Sequence, residues 1–360
     1  MNNKVRLAVL GAGSWTCVNH LPALEGRDDV EFVAALDTSE DRRRRVQSRF
    51  PFSVVTDNLE EALATEPSAV IVGATPDAHH ELVSAALGVG ANVLCEKPFT
   101  TSGLLAWDLV ERARRQGVHL LTAYGWNYMP IVRDAKTLLE QHGIGTIEHI
   151  QIHMATALRE MYQRKMPVWG RPDEFRPIPT SYTELGKGAG YNQAQISHAL
   201  GIALWLSGLR GQSVFALMTN PDADVDLHDA ISMRMTNGAS ASVSGACSPL
   251  GANNSKHQME VRLFGSEGQL IVDLEREFVW LYKDADHDFK LPVQEGDGAY
   301  ACDGPANTLV DLTLGNAVEN CSPGELAARA TEITETAYRS WRSSKLEPVV
   351  IPPSEVSSSA

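Results

Sequence analysis

Short apolar runs alternate with stretches of mixed character through the first 125 residues. Leu7–Leu10 contains no polar side chain, as a strand buried on both faces of a parallel sheet requires. Comparable runs at Glu31–Leu36, Ala69–Gly73, Asn92–Cys95 and His119–Ala123 predict four more strands. Between them His20–Glu25, Glu40–Arg49, Leu59–Ala64, Ala78–Leu87 and Ser102–Gln116 predict helices. Regular alternation of strand and helix implies a parallel sheet wrapped by helices, with ligands at the carboxyl ends of the strands.

From about Pro130 the pattern changes. Asp134–Gln141 predicts a helix and Ile147–Ala157 a strand. A long polar, proline-rich segment, Arg159–Lys187, follows without clear periodicity. About Tyr191 to Leu206 predicts one helix, with Ile196, Leu200, Ala203 and Leu204 in the core. Asp229–Met235, Ala239–Cys247, Gln258–Phe264, Gln269–Asp273 and Phe278–Lys283 predict strands of one sheet. Thr236-Asn237-Gly238 joins the first two, and Asn-Gly is a strong hairpin signal. Pro305–Asn320 and Pro323–Arg342 predict closing helices, and the serine-rich end from Pro352 to Ala360 a flexible tail. The expected division is therefore 1–125, 126–350 and a tail over 351–360.

A chain of 360 residues with 43% hydrophobic and 21% charged positions is large enough for two globular units. The formal charge of −14 argues against nucleic-acid binding, which needs a basic surface. No stretch approaches the roughly 20 apolar residues that span a bilayer, so no membrane partner is expected. Five scattered cysteines without CxxC spacing exclude neither fold nor chemistry, but they favour a reduced, cytoplasmic protein without a zinc site.

The chemistry gathers where strands end. The first strand runs into Gly11-Ala12-Gly13-Ser14-Trp15-Thr16. Gly11 allows a tight turn, Gly13 leaves room for a pyrophosphate, and the following helix offers unpaired N–H groups. Thr16 stands where a third glycine is usual, which predicts looser helix–strand packing. Asp37 ends the second strand, where a carboxylate can accept from ribose hydroxyls and repel a 2′-phosphate. NAD is thus favoured, while the arginines at 42–45 leave NADP open. Asp37 could equally cap the next helix. Ala74-Thr75-Pro76 and Glu96-Lys97-Pro98 follow the third and fourth strands. A lysine there can reach the crevice and steady a developing alkoxide, although a lysine in a turn is ordinarily a surface charge.

These marks resemble the Gfo/Idh/MocA family of glucose–fructose oxidoreductase and inositol dehydrogenase relatives. GAGSWT with His20 and Leu24, Ala74-Thr75-Pro76 with His80, Glu96-Lys97-Pro98, Tyr124-Gly125-Trp126-Asn127, His198 and Phe264-Gly265-Ser266-Glu267-Gly268 occur in the family's order. The resemblance implies an α/β protein: an N-terminal Rossmann dinucleotide-binding domain and a C-terminal α/β domain with a largely antiparallel open sheet. It implies bound NAD or NADP and a sugar, glycoside or cyclitol substrate. Gly11, Gly13, Ser14, Trp15, Asp37, Thr75, Pro76, His80, Glu96 and Lys97 fall at cofactor-contacting positions. Lys97 matches the active-site lysine and His198 the catalytic histidine.

At helical spacing Tyr191, Ala194, Gln195 and His198 share a face. Many relatives have an aspartate where this chain has Ala194, so no carboxylate one turn away raises the basicity of His198. Gln195 can still bond a substrate hydroxyl. The polar segment carries Tyr162, Arg164, Lys165, Trp169, Arg171 and Tyr182, material for gripping a polyol or simply a polar surface loop. Asn127, Tyr182, Tyr191 and Gln195 join Lys97 and His198 as candidate substrate-binding residues. The expected activity is hydride transfer between the nicotinamide and a ring hydroxyl or ketone, with Lys97 and His198 catalytic. Alternatives are a cofactor-recycling oxidoreductase with tightly held NAD and a non-catalytic regulatory protein; an imine or biliverdin-type reductase fits the polar segment less well. An open sheet with an uncovered face predicts a homo-oligomer, a dimer or tetramer.

Overall fold

The computed structural model describes residues 4–165, 175, 177–249 and 257–352. Six parallel strands form the first sheet: β1 (Val5–Leu10), β2 (Val30–Leu36), β3 (Val54–Thr56), β4 (Ala69–Val72), β5 (Asn92–Cys95) and β6 (Leu120–Thr122). Their order is β3-β2-β1-β4-β5-β6. The order reverses between β1 and β4, so the loops leaving these strands diverge and open a crevice. The helix after β1 starts at Ser14, six residues before the predicted start, and passes through a π-helical stretch, Thr16–His20, into α1 (Leu21–Leu24). β3 is three residues between α2 (Glu40–Arg49) and α3 (Leu59–Leu63), too short to show a period.

Alternate residues of the sheet feed two cores. Ala8, Leu10, Val70, Val72 and Val93 pack with α4 (Pro76–Gly88) and α5 (Gly103–Gln116). Leu7, Val9, Ile71, Leu94 and Leu121 face the other way, onto Leu21 and Leu24 of α1 and onto Ala306, Leu309 and Val310. The last three come from the far end of the chain, so this cover is supplied by a segment predicted to belong to the second unit.

That unit opens with α6 (Pro130–His142) and is built on nine strands. They are β7 (Ile147–Thr156), β8 (Gly211–Thr219), β9 (His228–Met235), β10 (Ser240–Cys247), β11 (Gln258–Gly265), β12 (Gly268–Asp273), β13 (Phe278–Tyr282), β14 (Asp288–Lys290) and β15 (Glu347–Pro348). Only the β7–β10 ladder is parallel. Two short helices, α7 (Arg159–Tyr162) and α8 (Thr180–Thr183), precede a π-helical stretch, Asn192–Ile196, that runs into α9 (Ser197–Ser207). The predicted helix over Tyr191–Leu206 is thus two helix types in series. α10 (Gly304–Thr313) is the element on the first sheet, and it stops well before the predicted Asn320.

α11 (Gly324–Ser343) locks the halves together. Its Glu332 accepts hydrogen bonds from Trp107 Nε1 of α5 at 2.9 Å and from Arg210 Nε and Nη2 at 2.7 and 2.8 Å. The Arg210 guanidinium lies 4.6 Å from the Trp107 ring centroid, so the buried charge is paired, hydrogen-bonded and stacked. No helix among the described residues is long and apolar enough to cross a membrane.

Candidate active site

The crevice begins with three glycines that pack on one another. Gly11 has φ +91°, and a Cβ there would collide with the backbone of Ala74. A Cβ on Gly13 would stand 2.5 Å from the Gly73 carbonyl oxygen at the end of β4. Gly73 in turn faces Thr16 Oγ1, which occupies the place a side chain would need. Gly13 is therefore required by its neighbour strand, whatever approaches from the crevice. Thr16 does not loosen the packing as expected, because Gly73 makes room for it.

The turn fits a dinucleotide on its own terms. A helix starts directly after it, and the buried Ser14 hydroxyl at that start has no hydrogen-bond partner. Asp37 is buried, with Oδ2 accepting from Ala12 N at 3.0 Å and Oδ1 from Ser39 N at 2.8 Å. It thus joins the glycine turn to the end of β2, and its remaining lone pairs can accept ribose hydroxyls. Arg42 Nη1 is 3.9 Å from the same carboxylate. Thr75 caps α4 without a side-chain hydrogen bond, and Pro76 is the first residue of that helix.

At the end of β5, Glu96 Oε1 is 2.6 Å from His20 Nε2 and Oε2 accepts from Lys97 N at 3.0 Å. Burial alone would raise the Glu96 carboxyl, but the His20 hydrogen bond and the charges of His20 and Lys97 outweigh it and hold the group below its ordinary value. Lys97 reaches the other way. Its Nζ donates to the Ala194 carbonyl at 3.2 Å, on the turn that precedes His198. Burial lowers the Lys97 ammonium, partly offset by Glu96.

His198 is delivered by a well-held helix. Tyr191 N donates to the Asp226 carbonyl at 3.0 Å and Asn192 N to Asp226 Oδ2 at 2.7 Å, so Asp226 caps the π-helical stretch. Tyr338 Oη donates to the other oxygen at 2.7 Å, and only glycine fits at 190, whose φ is +105°. Burial pushes His198 well below its ordinary 6.5, and the charges of Lys97 and His257 push it further. Its Nδ1 has no partner among the described residues. A buried neutral imidazole beside an ammonium is equipped to take a proton from a hydroxyl that the ammonium polarises.

The predicted residues divide. Lys97, Glu96 and His198 lie at this end of the crevice, Ala194 contributes its carbonyl, and Gln195 is buried in the π-helical stretch before His198. His80 does not face the crevice: its Nε2 is 2.8 Å from Asp108 of α5. The neighbouring His79 is the one that ties loops together, with ring nitrogens 3.0 to 3.1 Å from the carbonyls of Ala74, Pro98 and Phe99. Asn127 is wholly buried and donates to the Gly201 and Cys321 carbonyls at 3.2 and 3.0 Å, which makes it a brace for α9. The π-helical stretch breaks the four-residue spacing between Tyr191 and His198, and the Tyr191 phenol donates to the Met154 carbonyl at 3.2 Å. Tyr182 packs on Tyr162, which packs on Tyr191, with centroids 5.9 and 6.5 Å apart. Arg164 pairs with Asp224 at the surface. Trp169, Arg171 and most of the tail lie outside the described residues.

Two aromatic residues at the site, Tyr300 and His257, were not singled out from sequence. Tyr300, in an irregular stretch before α10, lies 4.5 Å from Trp126, 6.3 Å from Trp15, 6.3 Å from His198 and 6.5 Å from His257 by ring centroids. His257 precedes β11 and continues the inward phase of Met259 and Val261. That phase was a legible signal; nothing local marks Tyr300.

Comparison with known proteins agrees with this geometry. A family profile described as an oxidoreductase family with an NAD-binding Rossmann fold matches residues 5–124, and one described as the GFO/IDH/MocA C-terminal domain matches residues 132–271. An uncharacterised oxidoreductase of Schizosaccharomyces pombe is 31% identical over 176 residues, 48% of this chain and 46% of that protein. The D-glucoside 3-dehydrogenase of Escherichia coli is 29% identical over 170 residues, 47% of each chain. The alignments with these two relatives thus span about half of their length. The crystal structure of GenD2 from gentamicin A biosynthesis, in complex with NAD, superposes with TM-score 0.74 over 97% of both chains at 21% identity, a likeness of fold.

Proposed function

Because the chain belongs to the Gfo/Idh/MocA family of NAD-binding oxidoreductases, we propose that it is a dehydrogenase that moves a hydride between NAD and a ring hydroxyl or ketone of a sugar, glycoside or cyclitol. The observation that carries this reading is the docking of the Lys97 ammonium on the turn before His198, whose imidazole is buried and neutral. The glucoside-oxidising relative supports the choice of a carbohydrate ring.

Backbone N–H groups from Gly13 to Trp15 would hold the pyrophosphate, Asp37 the adenosine ribose, and Glu96 the nicotinamide ribose. Bound NAD supplies the hydride acceptor. Lys97 donates a hydrogen bond to the substrate oxygen and steadies the charge that develops there. His198 takes the hydroxyl proton on oxidation and returns it on reduction. Glu96, held by His20, also accepts from the Lys97 backbone N–H and so fixes the turn that carries the lysine. The NAD-first cradle leaves NADP as the weaker ligand, since Asp37 would oppose a 2′-phosphate.

The test is Lys97→Met with a panel of cyclitols, aldoses and glycosides. General acid–base and electrostatic help of this kind is worth about 10²–10⁴ in rate, so kcat should fall by that factor while NAD affinity, read by tryptophan fluorescence, stays. A variant that keeps the parent's turnover removes Lys97 from the chemistry.

A further inference from the structure

We propose that His257 is a substrate-binding residue, holding a second hydroxyl of the ring whose first hydroxyl meets Lys97 and His198. The inference rests on the carbohydrate reading above and narrows it to substrates with at least two ring hydroxyls on the reacting side. The sheet itself places His257. Gln258 pairs with Ala155 in the β11–β7 ladder, and His257 follows one residue beyond, in phase with the inward-facing Met259 and Val261. Thr156, the neighbouring inward residue at the end of β7, is wholly buried and its hydroxyl lies by the Tyr191 phenol. His257 Nδ1 has no hydrogen-bond partner among the described residues. Buried polar atoms are rarely left unbonded, and one at the open end of a sheet calls for an explanation.

The surroundings identify the ligand chemistry. His198 and His257 flank one ring, that of Tyr300, at 6.3 and 6.5 Å, and His257 also stands edge-on to Trp126 at 5.8 Å. Trp126 and Tyr300, 4.5 Å apart, offer an apolar wall of the kind that packs on the C–H face of a sugar ring. A neutral imidazole can both donate to and accept from a hydroxyl. Lys97 and burial keep His257 in that form. Glu96, the carboxylate beside Lys97, is engaged by His20. The arrangement suits an uncharged polyol with one hydroxyl at His198 and another at His257.

His257→Phe keeps a flat ring against Trp126 and Tyr300 and removes the hydrogen bond. With the best substrate of the panel, KM should rise about ten-fold, the value of one lost hydrogen bond in a closed site. Folding, read by thermal melting, and NAD affinity should match the parent. Analogues of that substrate lacking one hydroxyl each supply the deciding comparison: one of them should be about ten-fold poorer for the parent and no poorer than the full substrate for the variant. Should the phenylalanine variant melt early, the same comparison is made in His257→Ala. If every deoxy analogue loses as much in the variant as in the parent, His257 does not touch the substrate. If the parent neither turns over nor binds any member of the panel by calorimetry, the carbohydrate reading fails, and this one with it.

Discussion

Replacing His198 by glutamine tests the protonation state on which the mechanism depends without requiring a substrate. The imidazole is 4% exposed and faces Lys97, His257, Tyr124 and Tyr300. Its folded pKa lies well below 6.5, with burial the main cause. Below 6.5 the unfolded chain takes up a proton at this position and the folded chain does not. Acid therefore draws the parent towards unfolding, and the stability in question is present above 6.5 and lost as pH falls. The loss is about 1 kcal/mol over the first pH unit below 6.5 and about 1.4 kcal/mol for each further unit until the folded group titrates.

Other buried groups titrate in the same range. His79 and His257 are lowered by burial and add to the slope. Asp226 and Asp229 are raised by burial and subtract from it. The difference between parent and variant isolates His198, because the remaining groups are common to both. Urea unfolding at about pH 7.5, 6.5 and 5.5 gives that difference. The parent's lead over His198→Gln should shrink by about 1 kcal/mol between pH 6.5 and 5.5 and by only about a third of that between 7.5 and 6.5. A flat difference would mean that burial does not shift the imidazole at all, and a lead that grows as pH falls from 7.5 to 6.5 would mean that the folded imidazole already carries a proton at neutral pH. It could then not serve as the base for alcohol oxidation.

Two further substitutions probe the same framework. Gly73→Ala drives a methyl group into Thr16 Oγ1 and within 2.9 Å of the Gly11 carbonyl; overpacking of this kind costs about 1–3 kcal/mol, and Thr16→Gly in the same chain should recover part of it in urea titrations. Ala194→Asp restores a carboxylate one turn before His198 and should raise the imidazole pKa, read by proton NMR titration; an unmoved value would show that the two side chains do not face each other.

The first sheet was legible because β1, β2, β4 and β5 are buried on both faces, which writes unbroken apolar runs into the chain. β8 escaped for a related reason. Val214, Ala216 and Met218 point inward, but Phe215 and the 62% exposed Leu217 point out, so no polar–apolar alternation is left to read. β14 is a three-residue edge strand with no pattern of its own. In the candidate site, Gly11, Gly13, Asp37, Glu96 and Lys97 could be singled out because each lies just past the end of a strand, a position that local sequence reveals. The helix carrying His198 was found too. Its π-helical stretch was not, since one extra residue per turn is set by how Asp226 and Asn192 anchor the start.

The loss of the carboxylate at 194 does not dismantle the site; it redistributes charge within it. A carboxylate beside His198 would favour the imidazolium and share the positive charge of Lys97. With alanine there, Lys97 turns to the backbone carbonyl of the same residue. That dipole steadies the ammonium without cancelling its charge. The uncancelled charge then acts on both histidines, and with burial it holds them neutral. The positive charge stays on Lys97, where it can meet an alkoxide, and the vacant lone pair stays on His198, where it can receive the proton. One side chain is missing from the family's usual set, yet its two electrostatic duties are separated rather than lost. A protein that had abandoned the chemistry would have no reason to keep a buried ammonium docked on the turn before a buried imidazole whose Nδ1 has no partner among the described residues.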